Sequence, residues 1–224
     1  MMHIYIIAQY LNQQGRGEDR FWRLGREWVS KGHRVTLFTG GSGSGMELGR
    51  KNIGLQQKDG LTLVALNVPY SAEMSSFRKL LSYHRFARMA GKQGRLLPKP
   101  DLLVAATPPL SAARPAIKLK EHYGVPLVLE VRELWPDAPV ERGVLKNGLL
   151  IKRARRLEEY IYGEADRIVT RDPDTAGTVR ERRTAENGVA VIPDSLEDSE
   201  LEFHYGEVIK GLVPKNKSGF NIRI

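Results

Sequence analysis

Short apolar runs alternate with helical patterns along most of the chain. Seven of these runs are typical of strands, and they lie at His3–Ala8, Arg34–Phe38, Leu61–Leu66, Asp101–Ala105, Pro126–Val131, Arg167–Thr170 and Val189–Ile192. Apolar residues at three- and four-residue intervals predict helices at Asp19–Ser30, Met74–Leu97, Leu110–Tyr123, Leu149–Glu164 and Asp174–Arg183. Strands that alternate with helices in this way form a sheet covered on both faces. The sequence therefore predicts an α/β fold with a doubly wound, mostly parallel, Rossmann-like sheet.

Two segments depart from this alternation. Residues 40–45 are all Gly or Ser, which is the composition of a flexible loop. The segment after Asp194 begins acidic and ends in Phe220–Ile224, a short strand-like run. We therefore expect one Rossmann-like domain over residues 1–195 and a linker or tail over residues 196–224.

The composition is that of an ordinary globular protein, but the charge is unusual. The 224 residues include no Cys, which excludes disulfides and thiolate zinc sites. The formal net charge of +9 favours anionic partners such as nucleic acid, anionic lipid or phosphorylated small molecules. No helix-turn-helix or RNP-type aromatic pattern supports nucleic acid. No run approaches the roughly 20 apolar residues of a membrane helix, so we expect a cytoplasmic chain that is able to contact the inner face of the membrane.

A glycine-containing loop follows the first predicted strand. Gly15 and Gly17 precede the first predicted helix, where glycines let the backbone approach a ligand and the helix N-terminus attracts phosphate. The dinucleotide-binding fingerprint requires Gly or Ala where this chain has Arg20, so an NAD site is not expected. From the glycines alone, a ligand-binding loop and an ordinary tight turn remain open.

Polar side chains and Trp135 follow the buried strand at Pro126–Val131. Ligands of open α/β sheets gather at the carboxyl ends of the strands, so these side chains are candidates for a site. Arg132 is suited to clamp a phosphate, and Glu133 or Asp137 to accept a proton or a sugar hydroxyl. The alternative is a surface Arg–Glu pair with Trp135 as packing.

The predicted helix at Met74–Leu97 is strongly basic. Arg78, Lys79 and Arg85 alternate with aromatic and aliphatic residues, as in helices that lie on anionic membranes. The same pattern fits a surface helix whose apolar stripe packs on the sheet.

Asp172-Pro173-Asp174 matches the metal-binding motif Asp-x-Asp. Its position between a strand and a helix favours helix capping, since Asp is a common cap and Pro a common first-turn residue. The histidines lack metal-ligand spacing, and we expect no metal site.

Seven segments occur in an order that points to one family. They are Gln9-Tyr10 with Gly15–Arg20, Ser30–Thr36, Val68–Ser71 with Met74-Ser75, Ala106–Leu110, Glu130–Pro136, Ala165–Val169 and Val191–Pro193. In this order the chain resembles the N-terminal domain of family 4-like, GT-B glycosyltransferases that build bacterial cell-surface polysaccharides.

The resemblance implies transfer of a sugar from a nucleotide sugar to a saccharide acceptor, often lipid-linked, in a cleft between two domains. It implies that Gly15, Gly17 and Arg20 line the cleft beside the donor phosphates. It places Arg132, Glu133 and Trp135 on the acceptor side, and Asp137 belongs to the same predicted cleft. We assign the chemistry to Glu133 and Arg132, with the nucleotide sugar as co-substrate and no tightly bound cofactor.

The resemblance also implies a second domain. In the family that domain carries the nucleotide-sugar pocket, and Phe220–Ile224 corresponds to about its first strand. We therefore expect the chain to be inactive on its own. The alternative is a non-catalytic basic module that binds a membrane surface or a separate C-terminal partner.

Overall fold

The computed structural model describes residues 1–11, 19–71, 73–183 and 188–214. The strands of this part are β1 (His3–Ile7), β2 (Arg34–Gly40), β3 (Ile53–Lys58), β4 (Leu61–Leu66), β5 (Leu102–Thr107), β6 (Leu127–Val131), β7 (Arg167–Thr170) and β8 (Val189–Val191). They form one sheet in the order β3-β4-β2-β1-β5-β6-β7-β8. Neighbouring strands are parallel except for the antiparallel pair β3–β4. The predicted fold class is confirmed.

The sequence did not predict β3. This strand lies at the edge of the sheet, and from Leu55 to Lys58 its residues are exposed. An edge strand with polar side chains lacks the apolar run that marks a buried strand, and such edges are common because they discourage pairing with other chains.

The α-helices of the described residues are α1 (Arg20–Ser30), α2 (Gly41–Ser44), α3 (Ser76–Leu96), α4 (Ala113–Tyr123), α5 (Asp137–Glu141), α6 (Gly148–Glu164), α7 (Pro173–Arg182) and α8 (Asp198–Ile209). The flexible loop predicted at residues 40–45 was wrong for residues 41–44, which form the single turn α2. The Ser44 hydroxyl donates to the carbonyl of Gly41 at 2.7 Å and accepts from the amide of Met46 at 3.0 Å, which closes this turn.

Two hydrophobic cores lie on opposite faces of the sheet. Helices α1 and α8 pack on one face, and helices α3, α4, α6 and α7 pack on the other. Side chains of a strand alternate between the faces, so Val128 of β6 packs beneath α1 and α8 while Leu127 and Leu129 pack on the opposite side. Glu130 therefore lies on the α1–α8 face.

Helix α8 occupies part of the segment predicted as a linker or tail. Leu201, Tyr205 and Ile209 are four residues apart, share one side of α8 and are buried in the same core as α1. Arg23 and Arg26 of α1 both pair with Asp198 at the start of α8. Residues 198–209 are thus a helix packed on the domain, which the predicted linker at residues 196–224 did not include.

Helix α3 is amphipathic over only part of its length. Phe86 and Ala90 are buried against the sheet, whereas Phe77, Leu80 and Leu81 in the first turns are 69%, 57% and 54% exposed. Among the described helices, none combines the length and the apolar character that crossing a bilayer requires.

Candidate functional site

Four charged residues follow strands that end at the same edge of the sheet. Arg20 begins α1 after β1, and Arg132 follows β6 directly. Arg171 follows β7, and Asp194 lies three residues after β8. Because these strands are parallel, their carboxyl ends meet at one edge, where open α/β sheets bind their ligands.

Arg20 bonds to residues at the ends of several strands along this edge. Its guanidinium donates to the carbonyls of Ile192 at 2.9 Å and Pro193 at 2.7 Å. It also pairs with Glu130 at 3.2 Å and with Asp194 at 3.1 Å. A planar guanidinium has five donors in a fixed arrangement, so these bonds fix α1 against the ends of β6 and β8.

Glu130 is the centre of the cluster and is fully buried. Its carboxylate accepts hydrogen bonds from Arg132 Nε at 3.0 Å, from Arg20 Nε at 3.2 Å and from the hydroxyl of Tyr205. Burial alone raises the pKa of this carboxyl, but the charges of Arg132 and Arg20 outweigh burial and hold the pKa below its usual value. Glu130 is therefore charged, and it orients the arginines around it.

Arg132 and Arg171 keep unused hydrogen-bond donors. Arg132 Nη1 lies 3.4 Å from Asp19, and its guanidinium carbon is 4.4 Å from the centre of the Phe21 ring. Arg171 pairs with Asp194 at 2.8 Å. Within the described residues, the buried atoms Arg132 Nη2 and Arg171 Nε have no hydrogen-bond partner. Arg171 Nε lies 4.0 Å from the Glu130 carboxylate. Since buried polar groups are nearly always bonded, these two donors of the described cluster remain for a further hydrogen-bond acceptor.

The pKa of Arg132 shows which interaction dominates there. Burial lowers the pKa of a cation, but Glu130 and Asp19 outweigh burial and raise the pKa of Arg132 above its usual value. The guanidinium thus stays charged although its side chain is only 14% exposed.

The structure separates the predicted site residues. Gly15 and Gly17 lie outside the described residues. Arg20 and Arg132 meet in the cluster, each bonded to Glu130. Glu133 lies at the same edge, but its carboxylate pairs with Arg142. The surface Arg–Glu pair that was the alternative interpretation is therefore present, with Arg142 rather than Arg132 as the cation.

Trp135 and Asp137 do not join the Arg20–Glu130–Arg132 cluster. Trp135 is partly buried and packs against the core on the α4 face. Asp137 begins α5, and its carboxylate pairs with Arg155 at 2.8 Å and with Arg182. Both residues thus make structural contacts in the described part of the chain.

The sequence prediction missed four members of the cluster: Glu130, Arg171, Asp194 and Tyr205. A glutamate inside an apolar strand is itself a signal, because a buried carboxylate needs cationic partners. Arg171 and Asp194 follow predicted strands at the predicted edge. Nothing in the sequence marked Tyr205 as a member of the cluster, since its segment was predicted as a linker or tail.

Asp172 caps a helix, as the sequence predicts. Its carboxylate accepts from the amide of Thr175 at 2.7 Å and from the hydroxyl of Thr175 at 2.8 Å, and Pro173 begins α7. Within the described residues, no three acidic or histidine side chains come together as metal ligands.

A family model for the glycosyl transferase 4-like domain matches residues 17–194, well over half of the chain. The chain belongs to this family. The match includes the whole cluster except Tyr205. No curated protein sequence matches the chain.

Solved glycosyltransferase structures share the fold of this glycosyl transferase 4-like domain. One structure of sucrose-phosphate synthase from Thermosynechococcus elongatus has a TM-score of 0.60 at 10% identity over 92% of this chain and 96% of that chain. A second structure of that enzyme has a TM-score of 0.58 at 13% identity, over 86% of this chain and 48% of the other. UGT89C1 of Arabidopsis thaliana has a TM-score of 0.55 at 12% identity, over 88% and 53%.

These comparisons establish the fold as that of a GT-B N-terminal domain. The chain spans about half the length of the second synthase structure and of UGT89C1, at 48% and 53%.

Proposed function

We propose that this domain forms one wall of a sugar-transfer cleft, where it holds a saccharide acceptor and contacts the phosphates of a nucleotide sugar. The observation that supports the proposal is the Arg20–Glu130–Arg132 cluster at the carboxyl edge, with unused donors on Arg132 and Arg171. Donors that are already fixed in place stabilise developing phosphate charge without reorganisation, and they act strongly in a partly dry site.

In this proposal the residues divide into two roles. Arg132 and Arg171 bind phosphate oxygens, because guanidinium groups match phosphate geometry and remain charged. Glu130 and Arg20 are positioning residues, since their hydrogen bonds are used within the domain. Glu133 is proposed as the carboxylate that accepts the proton of the acceptor hydroxyl, after it exchanges Arg142 for substrate.

The donor pocket is proposed to need a second domain. UGT89C1 was solved with UDP and with UDP-L-rhamnose, and this domain corresponds to about half of that protein. We therefore propose that the domain alone has negligible transfer activity and that a C-terminal domain, in the same or a separate chain, completes the nucleotide-sugar site. Turnover by residues 1–224 alone on the order of one per second would contradict this part.

The phosphate role is tested by titrating the protein with UDP and following amide NMR shifts. The Arg132→Gln variant is expected to weaken UDP binding at least about tenfold, because it removes charge-assisted hydrogen bonds. The Arg132→Lys variant keeps the charge but loses the planar guanidinium group, so its affinity for UDP is expected to lie between those of wild type and Arg132→Gln. Arg153→Gln on the exposed side of α6 is the control for net charge. An Arg132→Gln affinity equal to that of the control would refute the phosphate role.

A second candidate function is contact with an anionic membrane that carries a lipid-linked acceptor, as in bacterial surface-polysaccharide synthesis. It is supported by the exposed Phe77, Leu80 and Leu81, which lie on α3 beside Arg78 and Lys79. Arg85 is the third predicted membrane residue, and its guanidinium donates to Asn52 at 3.2 Å.

Vesicle co-sedimentation tests this contact with phosphatidylglycerol in phosphatidylcholine. Reversal of two charges in Arg78→Glu/Lys79→Glu is expected to lower partitioning at least about tenfold at low salt, since each basic residue near the surface contributes about 1 kcal/mol. Lys152→Glu/Arg153→Glu on α6 is the matched control. Equal partitioning of the two variants, or binding that does not change with salt concentration, would contradict the proposed membrane contact of α3.

A further inference from the structure

A groove lies between α3 and α4, with a volume of about 580 Å³. Its charged lining is basic, without a carboxylate: Arg88, Lys92 and Arg95 from α3, and Arg114 and Lys118 from α4. His84 lines one end, and Gly91 and Pro115 lie between the helices. A groove of this volume is large enough for a small ligand.

The spacing of these residues explains how the groove becomes basic. On α3 the positions 84, 88, 92 and 95 are three or four apart, so they form one stripe along the helix. On α4 the positions 114 and 118 are four apart. The helices approach closely because Gly91 and Gly94 lack side chains; a Cβ on Gly94 would lie 2.6 Å from Leu119. The two basic stripes therefore line one groove.

The basic residues of the groove have no paired carboxylate in the described part of the chain. Among the described residues, Arg88, Lys92, Arg95, Arg114 and Lys118 form no ion pair with a carboxylate, although many other arginines of the chain do. Like charges that line one groove repel each other, and an anion between them relieves that repulsion. The groove therefore concentrates positive charge from two helices in one place.

The groove is separate from the Arg20–Glu130–Arg132 cluster. The cluster lies on the α1–α8 face, whereas α3 and α4 pack on the opposite face. The end of α3 also lies away from the carboxyl edge, because the Tyr5 hydroxyl of β1 donates to the carbonyl of Pro98 at 2.7 Å just before β5 begins. The groove is therefore not part of the proposed transfer cleft.

We propose that the α3–α4 groove is a second anion site, which binds a phosphate group carried either by a lipid headgroup or by a free phosphorylated molecule. Arginine and lysine together suit this ligand: the guanidinium groups of Arg88 and Arg114 bind pairs of phosphate oxygens, and the ammonium groups of Lys92 and Lys118 add compact charge. This proposal does not depend on the transfer activity.

Inorganic pyrophosphate is the soluble probe, and the amide NMR signal of Gly91 in the groove wall is the local reporter. Wild type is expected to show a saturable shift at Gly91. The variant Arg88→Gln/Arg114→Gln is expected to raise the dissociation constant at least about tenfold. The matched control is Arg153→Gln/Arg156→Gln on α6, which removes the same charge from exposed positions and is expected to stay within about twofold of wild type.

A vesicle arm identifies the source of the phosphate. Vesicles of phosphatidylglycerol and phosphatidylcholine are compared with phosphatidylcholine alone for the same three proteins. Loss of vesicle binding in the groove variant but not in the control assigns the site to lipid phosphate, whereas a pyrophosphate effect without a vesicle effect assigns it to a free phosphorylated molecule. The proposal is overturned if wild type binds neither probe, or if the two variants lose binding equally.

Discussion

Glu130 carries a negative charge in the core of the domain, and the residues around it determine the free energy that is needed to bury that charge. Three hydrogen bonds, from Arg20, Arg132 and Tyr205, replace the water that burial removes. If the carboxylate is lost, Arg20 and Arg132 remain charged without their shared counter-ion. Removing one partner of a buried ion pair costs about 3–5 kcal/mol because the remaining charge stays buried.

We therefore expect Glu130→Gln to lower the free energy of unfolding by about 3–5 kcal/mol at pH 7, measured by urea denaturation. Glu159→Gln, at an exposed position of α6, is the control and is expected to change it by less than about 0.5 kcal/mol. A similar small change in both variants would mean that the cluster does not stabilise the fold.

His3, which lies outside the cluster, makes the free energy of unfolding depend on pH. Burial, followed by the charge of Arg34, lowers the pKa of His3 to about 4, and its Nε2 lies 2.9 Å from the Thr36 hydroxyl. The unfolded chain binds a proton near pH 6.5, so the folded state loses stability as pH falls from about 6.5 toward 4.

Replacement by Gln keeps a hydrogen-bonding side chain at position 3 but removes the titration. His3→Gln is therefore expected to flatten the decline of unfolding free energy between pH 7 and pH 5, measured by urea denaturation at each pH. His122→Gln, at an exposed position, should keep the slope of wild type. Equal slopes for His3→Gln and wild type would show that His3 does not carry the effect.

At the scale of elements, helix α8 belongs to the hydrophobic core on the α1 face. It covers the β6 end of the α1 face and places Tyr205 on Glu130. Leu201 is 1% exposed, whereas Phe203 on the same helix is 51% exposed. A helix that packs through one side loses stability only when that side is truncated.

Leu201→Ala is therefore expected to cost about 2–5 kcal/mol of unfolding free energy, the range for large-to-small changes in a core. Phe203→Ala in the same helix is the matched control, expected to stay within about 0.5 kcal/mol. Thermal or urea unfolding measures both. If neither change has an effect, residues 198–209 act as the linker that the sequence predicted.

The elements show which parts of the fold a sequence can reveal. β4 and β7 have the predicted bounds, and each contains adjacent buried apolar residues, Leu63 and Val64 in β4 and Ile168 and Val169 in β7. β3 was missed because its side chains face water, and α8 was missed because its apolar residues are interrupted by acidic and polar ones. The periodicity of apolar residues predicts which side of a helix or strand is buried. It does not predict an element whose apolar residues do not form a regular pattern.

The sequence predicted the sheet edge at which the Arg20–Glu130–Arg132 cluster lies, but not all of the residues that form the cluster. Arg132 was identified because it follows a buried strand at the carboxyl edge of the sheet. Arg20 was identified because the family resemblance places it in the cleft. Glu133 was assigned to the chemistry because it follows the strand at the carboxyl edge, whereas Glu130 lies inside the strand and was not considered. In the structure the buried Glu130 orients the arginines, and Glu133 pairs with Arg142.

At the scale of the whole molecule, one sheet separates two cores that hold different features. The Arg20–Glu130–Arg132 cluster belongs to the α1–α8 face, and the α3–α4 groove belongs to the other. Residues that share a partner are energetically coupled, whereas distant residues without shared partners are nearly additive. The two faces are therefore expected to respond to mutation independently, although they share every strand between them.

A pair of double-mutant cycles on unfolding free energy tests this independence. Glu130→Gln and Tyr205→Phe lie in one hydrogen bond, so their effects are expected to be non-additive by at least about 1 kcal/mol, because the second change removes a bond that the first has already weakened. Glu130→Gln and Ile117→Val lie on opposite faces and are expected to add within about 0.5 kcal/mol. Ile117→Val costs only about 0.5–1.5 kcal/mol, which keeps the double variant measurable. If the pair across the sheet couples as strongly as the pair within one hydrogen bond, the sheet transmits strain between its faces, and the groove and the cluster cannot be treated as independent sites.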